Sequence, residues 1–180
     1  MNVTETIIPG VRVVEPDVFG DDRGFFFESF NEEKFRALGL PTEWRQDSHS
    51  SSLKGALRGL HFQLPPKSMA KLVRCVRGAV YDVAVDLRKA SPTYCQWFGI
   101  ELSAENKKML LIPEGCAHGF YALSDCDFLY KCSNEYQKVL DANVRYDDPA
   151  FGIEWPIKGE LTLSNRDREA PAFSDLMLPF

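Results

Sequence analysis

One short stretch carries an arginine and a histidine inside an apolar, strand-forming sequence, and a lysine follows it. Arg58 and His61 lie in the run 55–63, and Lys71 opens the next apolar run after a Pro-containing turn. A strand built only for stability would favour Val, Ile or Thr at such positions. Histidine titrates near neutral pH and suits proton abstraction, while Arg and Lys can neutralise an anion. The stretch therefore predicts a site for an anion and a proton transfer.

His61 has three interpretations: a core histidine, a metal ligand or a general base. The metal interpretation is disfavoured because the chain has three histidines, and none lies two or four residues from another. The base interpretation gains from two further residues. Asp167 is a carboxylate that could orient the ring, and Tyr130 could act as an opposing acid. Taken alone, a core role remains open for both His61 and Tyr130.

Arg58 and His61 are three residues apart, which places them on opposite faces of an ideal strand. Both can line one cavity only if the strand is irregular between them. Gly59 is the residue at which a β-bulge would be expected. We therefore predict an irregularity there, and without it one of the two side chains would lie outside the site.

The elements that must position these residues are mostly short strands. Tyr81, Val83 and Val85 alternate with Val80, Asp82 and Ala84, which is the period of a strand. Strands are predicted at 11–15, 25–30, 46–50, 56–63, 71–77, 80–87, 97–102, 109–113, 119–123 and 128–132, with a turn at 19–24. Many short strands without long helices between them predict an all-β jelly-roll barrel rather than a parallel sheet.

Two short peripheral helices are also predicted. One begins after the N-cap Asn31 and ends near Gly39, and the other is capped by Ser164 and contains Asp167. The second helix could bring the carboxylate of Asp167 to the mouth of the barrel. At 180 residues, the chain is expected to form a single domain spanning 1–180.

Composition restricts the partners and the compartment. The net charge is -5 without a basic run, so no nucleic-acid partner is expected. No signal peptide and no membrane-spanning apolar run is recognised. Five cysteines without a CxxC motif are interpreted as reduced thiols, which indicates a cytoplasmic protein.

Ordered motifs along nearly the whole chain resemble those of the dTDP-4-dehydrorhamnose 3,5-epimerases. They include FGDDRG at 19–24, QDSHS at 46–50, KGALRGLHFQ at 54–63, KLVR at 71–74, GAVYDVAVD at 78–86, IPEGCAHGF at 112–120 and FLYK at 128–131. The resemblance implies a cupin-like jelly roll that forms a homodimer and uses no metal or organic cofactor. It also implies a dTDP-linked 4-keto-6-deoxy sugar as substrate, inverted at C3 and C5.

The same resemblance implies roles for individual residues. His61 resembles the catalytic base, Asp167 its partner carboxylate, Tyr130 the acid and Lys71 the lysine that stabilises an enolate. The remaining matches are contact residues: Arg58 and His118 for the substrate, and Phe19, Arg23, Glu28, Gln46 and Tyr136 for the nucleotide, some of them supplied by the neighbouring subunit. The chain departs from the family pattern at Ser48, where asparagine is common, and at 68–70 before Lys71.

Other activities remain to be distinguished from a double epimerase. A related enzyme could invert only C3 or only C5, or could be a 3,4-ketoisomerase, which the match at His61, Tyr130 and Asp167 disfavours. A non-catalytic jelly-roll module that binds sugar nucleotides would keep the arginines but would need no acid and base. A metal-dependent cupin oxygenase would need more histidines than the chain has.

Overall fold

The computed structural model describes all 180 residues. Its elements, in chain order, are β1 Asn2–Glu5, β2 Arg12–Glu15, β3 Phe19–Asp21, β4 Gly24–Phe26, α1 Glu32–Ala37, β5 Gln46–Ser52, β6 Leu57–Gln63, β7 Lys71–Arg77, β8 Ala79–Asp86, β9 Trp97–Ser103, β10 Met109–Ile112, β11 Cys116–Ala122, β12 Cys126–Cys132, β13 Asp141–Asn143 and α2 Asn165–Arg168. A 3₁₀ turn follows at Phe173–Asp175. No helix is long and apolar enough to cross a membrane.

Two antiparallel sheets face each other and form the body of the molecule. The first has the strand order β1-β2-β10-β7-β12-β5, and the second has the order β13-β6-β11-β8-β9. Strands β3 and β4 form a separate hairpin that pairs with neither sheet. This architecture is the all-β jelly roll that the strand pattern predicted.

The core between the sheets is built by the inward-facing side chains of both. Phe120 on β11 and Phe128 on β12 are fully buried, and their ring centroids are 4.7 Å apart. Burying a side chain of this size contributes ~1.5–3 kcal/mol. The C-terminal segment packs on the outer face of the five-stranded sheet. A second hydrophobic cluster, which includes Val83, Phe151 and Leu178, forms between them. The cavity described below therefore has a rigid wall on each side.

Both helices begin where the sequence predicts. The Asn31 side chain accepts a hydrogen bond from the backbone N–H of Lys34, and Gly39 after α1 has a φ of +66°. The Ser164 side chain accepts from the backbone N–H of Asp167 in α2. These bonds satisfy N–H groups that have no partner within a helix.

The prediction for residues 19–30 was wrong in detail. Phe19–Asp21, assigned to a turn, is strand β3, and the strand assigned to 25–30 ends at Phe26. Phe30 instead packs edge-on against Phe35 of α1, with ring centroids 4.9 Å apart. Although phenylalanine is common in strands, Phe30 packs against a helix and does not belong to a strand. The short strands β1 and β13 were not predicted.

Candidate active site

A cavity of about 350 Å³ opens between the two sheets and contains most of the candidate residues. Its lining includes Gln46, Arg58, His61, Lys71, His118, Tyr130 and Tyr136, together with Ser48, Ser50, Met69, Phe120, Cys132, Asp141 and Arg166. Seven of the eleven residues named from the sequence thus share one cavity. Asp167 lies directly behind His61.

A bulge in β6 brings Arg58 and His61 to the same cavity, as the sequence predicted. His61 is opposite His118, whereas Arg58 is opposite Phe120, so β6 has one residue more than β11 between these pairs. Gly59 has a φ of +133°, and a Cβ there would lie 2.5 Å from the Cα of Gly119. Only glycine fits this close approach of two strands.

His61 on β6 and Asp167 on α2 form a dyad. The Nε2 of His61 is 2.5 Å from the Oδ1 of Asp167, whose Oδ2 also accepts from the hydroxyl of Ser164 at 2.8 Å. Burial of Asp167 opposes its ionisation, but the bonds from His61 and Ser164 outweigh this effect and lower its pKa. Asp167 is therefore a carboxylate at neutral pH, able to orient the imidazole and to stabilise its protonated form.

Tyr130 and Lys71 line the cavity from the facing sheet. The Tyr130 hydroxyl is 3.1 Å from the Ser50 hydroxyl, and burial raises the pKa of the phenol well above its ordinary value. The Lys71 side chain interacts with the neighbouring carboxylates only through their charges, without a hydrogen bond. Burial lowers the pKa of Lys71, although the charges of Asp141 and Asp82 act in the opposite direction. The facing wall thus offers a protonated phenol and the amine of Lys71.

Arg58 and His118 occupy the same wall as His61. Arg58 donates to the Ser52 hydroxyl and to the carbonyl of Ser51, both at 2.9 Å. His118 is buried, and its Nε2 is 2.8 Å from the Oδ1 of Asp82, which has no exposed surface. Sequence reasoning missed Asp82, although a carboxylate within the apolar strand 80–87 was a visible signal.

Polar residues at the mouth of the cavity are connected by hydrogen bonds and an ion pair. The side-chain amide oxygen Oε1 of Gln46 accepts a hydrogen bond from the backbone N–H of Tyr136 at 2.9 Å. The Tyr136 hydroxyl donates to Asp141 at 2.9 Å, and Arg166 forms an ion pair with the same carboxylate. Asp141 and Arg166 were also missed, because their positions become related only when α2 packs against β13.

Three residues named from the sequence do not reach this cavity. Phe19 and Arg23 belong to the β3–β4 hairpin, where 65% of Phe19 is exposed and Arg23 pairs only with Asp21. Glu28 pairs with Lys34 of α1. Within one chain, these residues are separate from the acid and the base.

No group of three or more His, Cys, Asp or Glu residues is arranged to hold a metal ion. All five cysteines are free thiols. Cys132 lines the cavity opposite Lys71 in the strand register, and burial raises the pKa of its thiol.

Comparison with known proteins agrees with this geometry. The family model for dTDP-4-dehydrorhamnose 3,5-epimerase matches residues 5–175. The epimerase of that name from Shigella flexneri is 54% identical over 177 residues, which cover 97% of each chain. The crystal structure of the enzyme from Elizabethkingia anophelis is 46% identical, covers 97% of both chains and has a TM-score of 0.92.

A second crystal structure was determined with a ligand. The 3,5-epimerase from Legionella pneumophila, in complex with dTDP-4-keto-L-rhamnose, is 43% identical and has a TM-score of 0.92. The alignment covers 96% of the present chain and 93% of that one. The cupin-like jelly roll expected from the resemblance is confirmed. The chain belongs to the dTDP-4-dehydrorhamnose 3,5-epimerase family.

Proposed function

We propose that the protein inverts C3 and C5 of dTDP-4-dehydro-6-deoxy-D-glucose and so forms dTDP-4-dehydro-L-rhamnose. One observation carries this function: an imidazole paired with a carboxylate and a protonated phenol lie on facing sheets of the same cavity. Inversion at a carbon requires removal of a proton from one face and its return to the other. A base and an acid on opposite walls meet that requirement.

The C4 ketone explains why one pair of groups serves two carbons. C3 and C5 both flank this ketone, so loss of either proton gives an enolate whose charge lies on the same oxygen. In our assignment, His61 removes the proton, Asp167 stabilises the resulting imidazolium and Tyr130 returns a proton from the other side. Lys71, whose side chain forms no hydrogen bond, stabilises the enolate oxygen. Arg58 and His118 contact the substrate from the wall that carries the base.

Nucleotide binding is assigned to the mouth and to a second subunit. Gln46 and Tyr136 line the mouth, whereas Phe19, Arg23 and Glu28 lie away from the cavity of their own chain. In the hairpin, Phe19, Phe25 and Phe26 are each more than 60% exposed. An apolar patch of this kind is typical of an interaction surface. We therefore propose a homodimer in which each hairpin completes the nucleotide site of the partner.

Residues 1–180 are proposed to form one catalytic domain that works in the cytoplasm. The presence of five free cysteines supports a reducing compartment. The proposal includes no metal, organic cofactor, nucleic acid or membrane partner.

Deuterium uptake tests the activity. The purified protein is incubated with dTDP-4-keto-6-deoxy-glucose in D2O, and the sugar is analysed by NMR. Label at both C3 and C5, with inverted coupling patterns, is expected. Label at one carbon only would contradict the double inversion in favour of a mono-epimerase, and dTDP binding without label would indicate a binding module.

A further inference from the structure

The cavity wall contains a second pair of a carboxylate and an imidazole, besides His61 and Asp167. His118 on β11 is the register partner of His61 on β6, so the two imidazoles occupy adjacent strands. The Nε2 of His118 is 2.8 Å from the Oδ1 of Asp82 on β8. His118 lines the cavity but Asp82 does not, so Asp82 can act on a substrate only through His118.

The burial of this pair restricts its charge. Asp82 is 0% exposed and His118 is 3% exposed, and the Oδ2 of Asp82 has no hydrogen-bond partner. A buried carboxylate is costly unless it is compensated. Burial raises the pKa of Asp82, against the effect of His118 and Lys71, and lowers the pKa of His118. An arrangement with no net charge therefore suits this position better than an ionised carboxylate beside a neutral imidazole.

The second nitrogen of His118 is available to a ligand. Its Nδ1 forms no hydrogen bond within the chain, and the ring packs against both Phe128 and Tyr130. The charged and titratable groups around the pair are Lys71 on β7, His61 on β6 and Tyr130 on β12. A lone pair on Nδ1 would repel a developing oxyanion, whereas an Nδ1–H would donate a hydrogen bond to it.

We propose that Asp82 is a positioning residue that fixes His118 with a proton on Nδ1 facing the cavity. A second proton is shared between the Oδ1 of Asp82 and the Nε2 of His118, so the pair carries no net charge. This inference rests on the proposed function, in which the C4 oxygen of the sugar gains negative charge. The Nδ1–H then adds a donor on the wall opposite Lys71.

The protonation of His118 can be measured directly, because the chain has three histidines. Protein labelled with [15N]histidine is studied by long-range 1H–15N NMR without substrate between pH 6 and 8. His49→Gln removes one set of signals and assists assignment. His49 is exposed and lies on the opposite face of β5 from the cavity residues Ser48 and Ser50. We expect a protonated Nδ1 in His118 throughout. An unprotonated Nδ1 with a protonated Nε2 would overturn the proposal.

Variants at Asp82 provide the kinetic test. Asp82→Ala should lower kcat by at least ~10-fold, because His118 loses the partner that keeps a donor aimed at the developing oxyanion, with KM and dTDP affinity nearly unchanged. Asp82→Asn should recover most of the lost kcat, because its amide can donate to Nε2 and keep the proton on Nδ1. Wild-type kcat in Asp82→Ala, or equal impairment of both variants, would contradict the inference.

Asp86 offers a matched control on the same strand. It is also 0% exposed, but its partners are Arg88, Ser91 and Thr93 rather than a cavity residue. Asp86→Asn should lower stability while leaving both the His118 spectrum and kcat unchanged. If the wild-type protein fails to epimerise the sugar, the proposed function is wrong, whereas the NMR measurement still tests the state of His118. If Asp82→Ala does not fold, the inference is tested by the kcat of Asp82→Asn and by the protonation of His118 Nδ1 in the NMR spectrum.

Discussion

At the scale of single residues, the proposed function depends on one group that gives up a proton and one that accepts it. Burial raises the pKa of Tyr130, so the phenol remains protonated at neutral pH. The carboxylate of Asp167 lies 2.5 Å from the Nε2 of His61 and holds the imidazole in place. The two side chains are thus prepared for opposite halves of an inversion.

Replacing Tyr130 with Phe should separate exchange from inversion. The variant keeps the ring that packs at a centroid distance of 5.1 Å from Phe128 but loses the hydroxyl bonded to Ser50. We expect completed inversion to fall by ~10²-fold or more, while the initial exchange of sugar protons with D2O falls much less. NMR of the sugar during turnover measures both rates. Equal loss of the two rates would remove Tyr130 as the acid.

At the scale of elements, the bulge in β6 is the feature that brings Arg58 and His61 together. Gly59→Ala would place a methyl group 2.5 Å from Gly119 Cα and 3.0 Å from the carbonyl oxygen of His118. We expect a loss of roughly 2–5 kcal/mol in the free energy of unfolding, from overpacking and backbone strain together.

A glycine elsewhere in the chain provides a control that separates overpacking from backbone strain. Gly152 has a φ of +60°, and a Cβ there would meet nothing within 4 Å. Gly152→Ala should therefore cost only ~1 kcal/mol, from the left-handed backbone alone. Urea unfolding of both variants provides the comparison. Similar losses of stability in the two variants would show that the close approach of β6 and β11 at Gly59 does not exclude a side chain.

At the end of β8, the carboxylate of Asp86 accepts several hydrogen bonds. These bonds should make the stability of the protein depend on pH. Burial of Asp86 opposes its ionisation, but bonds from Arg88, Ser91 and Thr93 outweigh this and lower its pKa to about 2. Because the folded pKa lies below the unfolded value of 3.8, the stabilisation is complete above about pH 5 and is lost as the pH falls toward 2.

Asp86→Asn tests this network. At pH 7 the variant should be less stable by ~2 kcal/mol, and the difference from wild type should shrink between about pH 5 and pH 2. Urea unfolding across that range measures the difference. A constant difference at every pH would contradict the contribution of the ionised carboxylate.

The sequence predicts most of the strands and the position of the bulge, because alternation, turns and glycine are local signals. It also predicts both helix caps, each of which joins residues three positions apart. It does not predict the partnership of Asp82 with His118, because residues 36 positions apart meet only when β8 and β11 pair. Residues 25–30 were misassigned because an aromatic run is equally suited to a strand and to packing against a helix.

At the scale of the whole molecule, the exposed hairpin is the observation behind the proposed homodimer. Arg23 lies on the hairpin, 90% of its side chain is exposed, and it does not line the cavity of its own chain. The proposed dimer would bring it to the nucleotide bound by the partner. The dimer should have twice the chain mass of 20.4 kDa in solution.

Complementation between two inactive variants tests this arrangement. Arg23→Glu should remove activity at low substrate concentration because it weakens nucleotide binding, and His61→Ala should remove the base. A mixed dimer of the two contains one site with both native residues if Arg23 acts on the partner. We therefore expect coexpressed subunits to regain activity that neither variant has alone. No recovery in mixed dimers verified by mass spectrometry would contradict a shared site.

The most direct measurement of the central claim follows deuterium uptake in His61→Ala beside the wild-type enzyme. The wild type should incorporate deuterium at C3 and C5 of the keto sugar, because an imidazole and a phenol on facing walls exchange those protons. His61→Ala should bind dTDP with nearly unchanged affinity and incorporate no deuterium at either carbon. Continued uptake at wild-type rates in His61→Ala would show that another group is the base and would contradict this account.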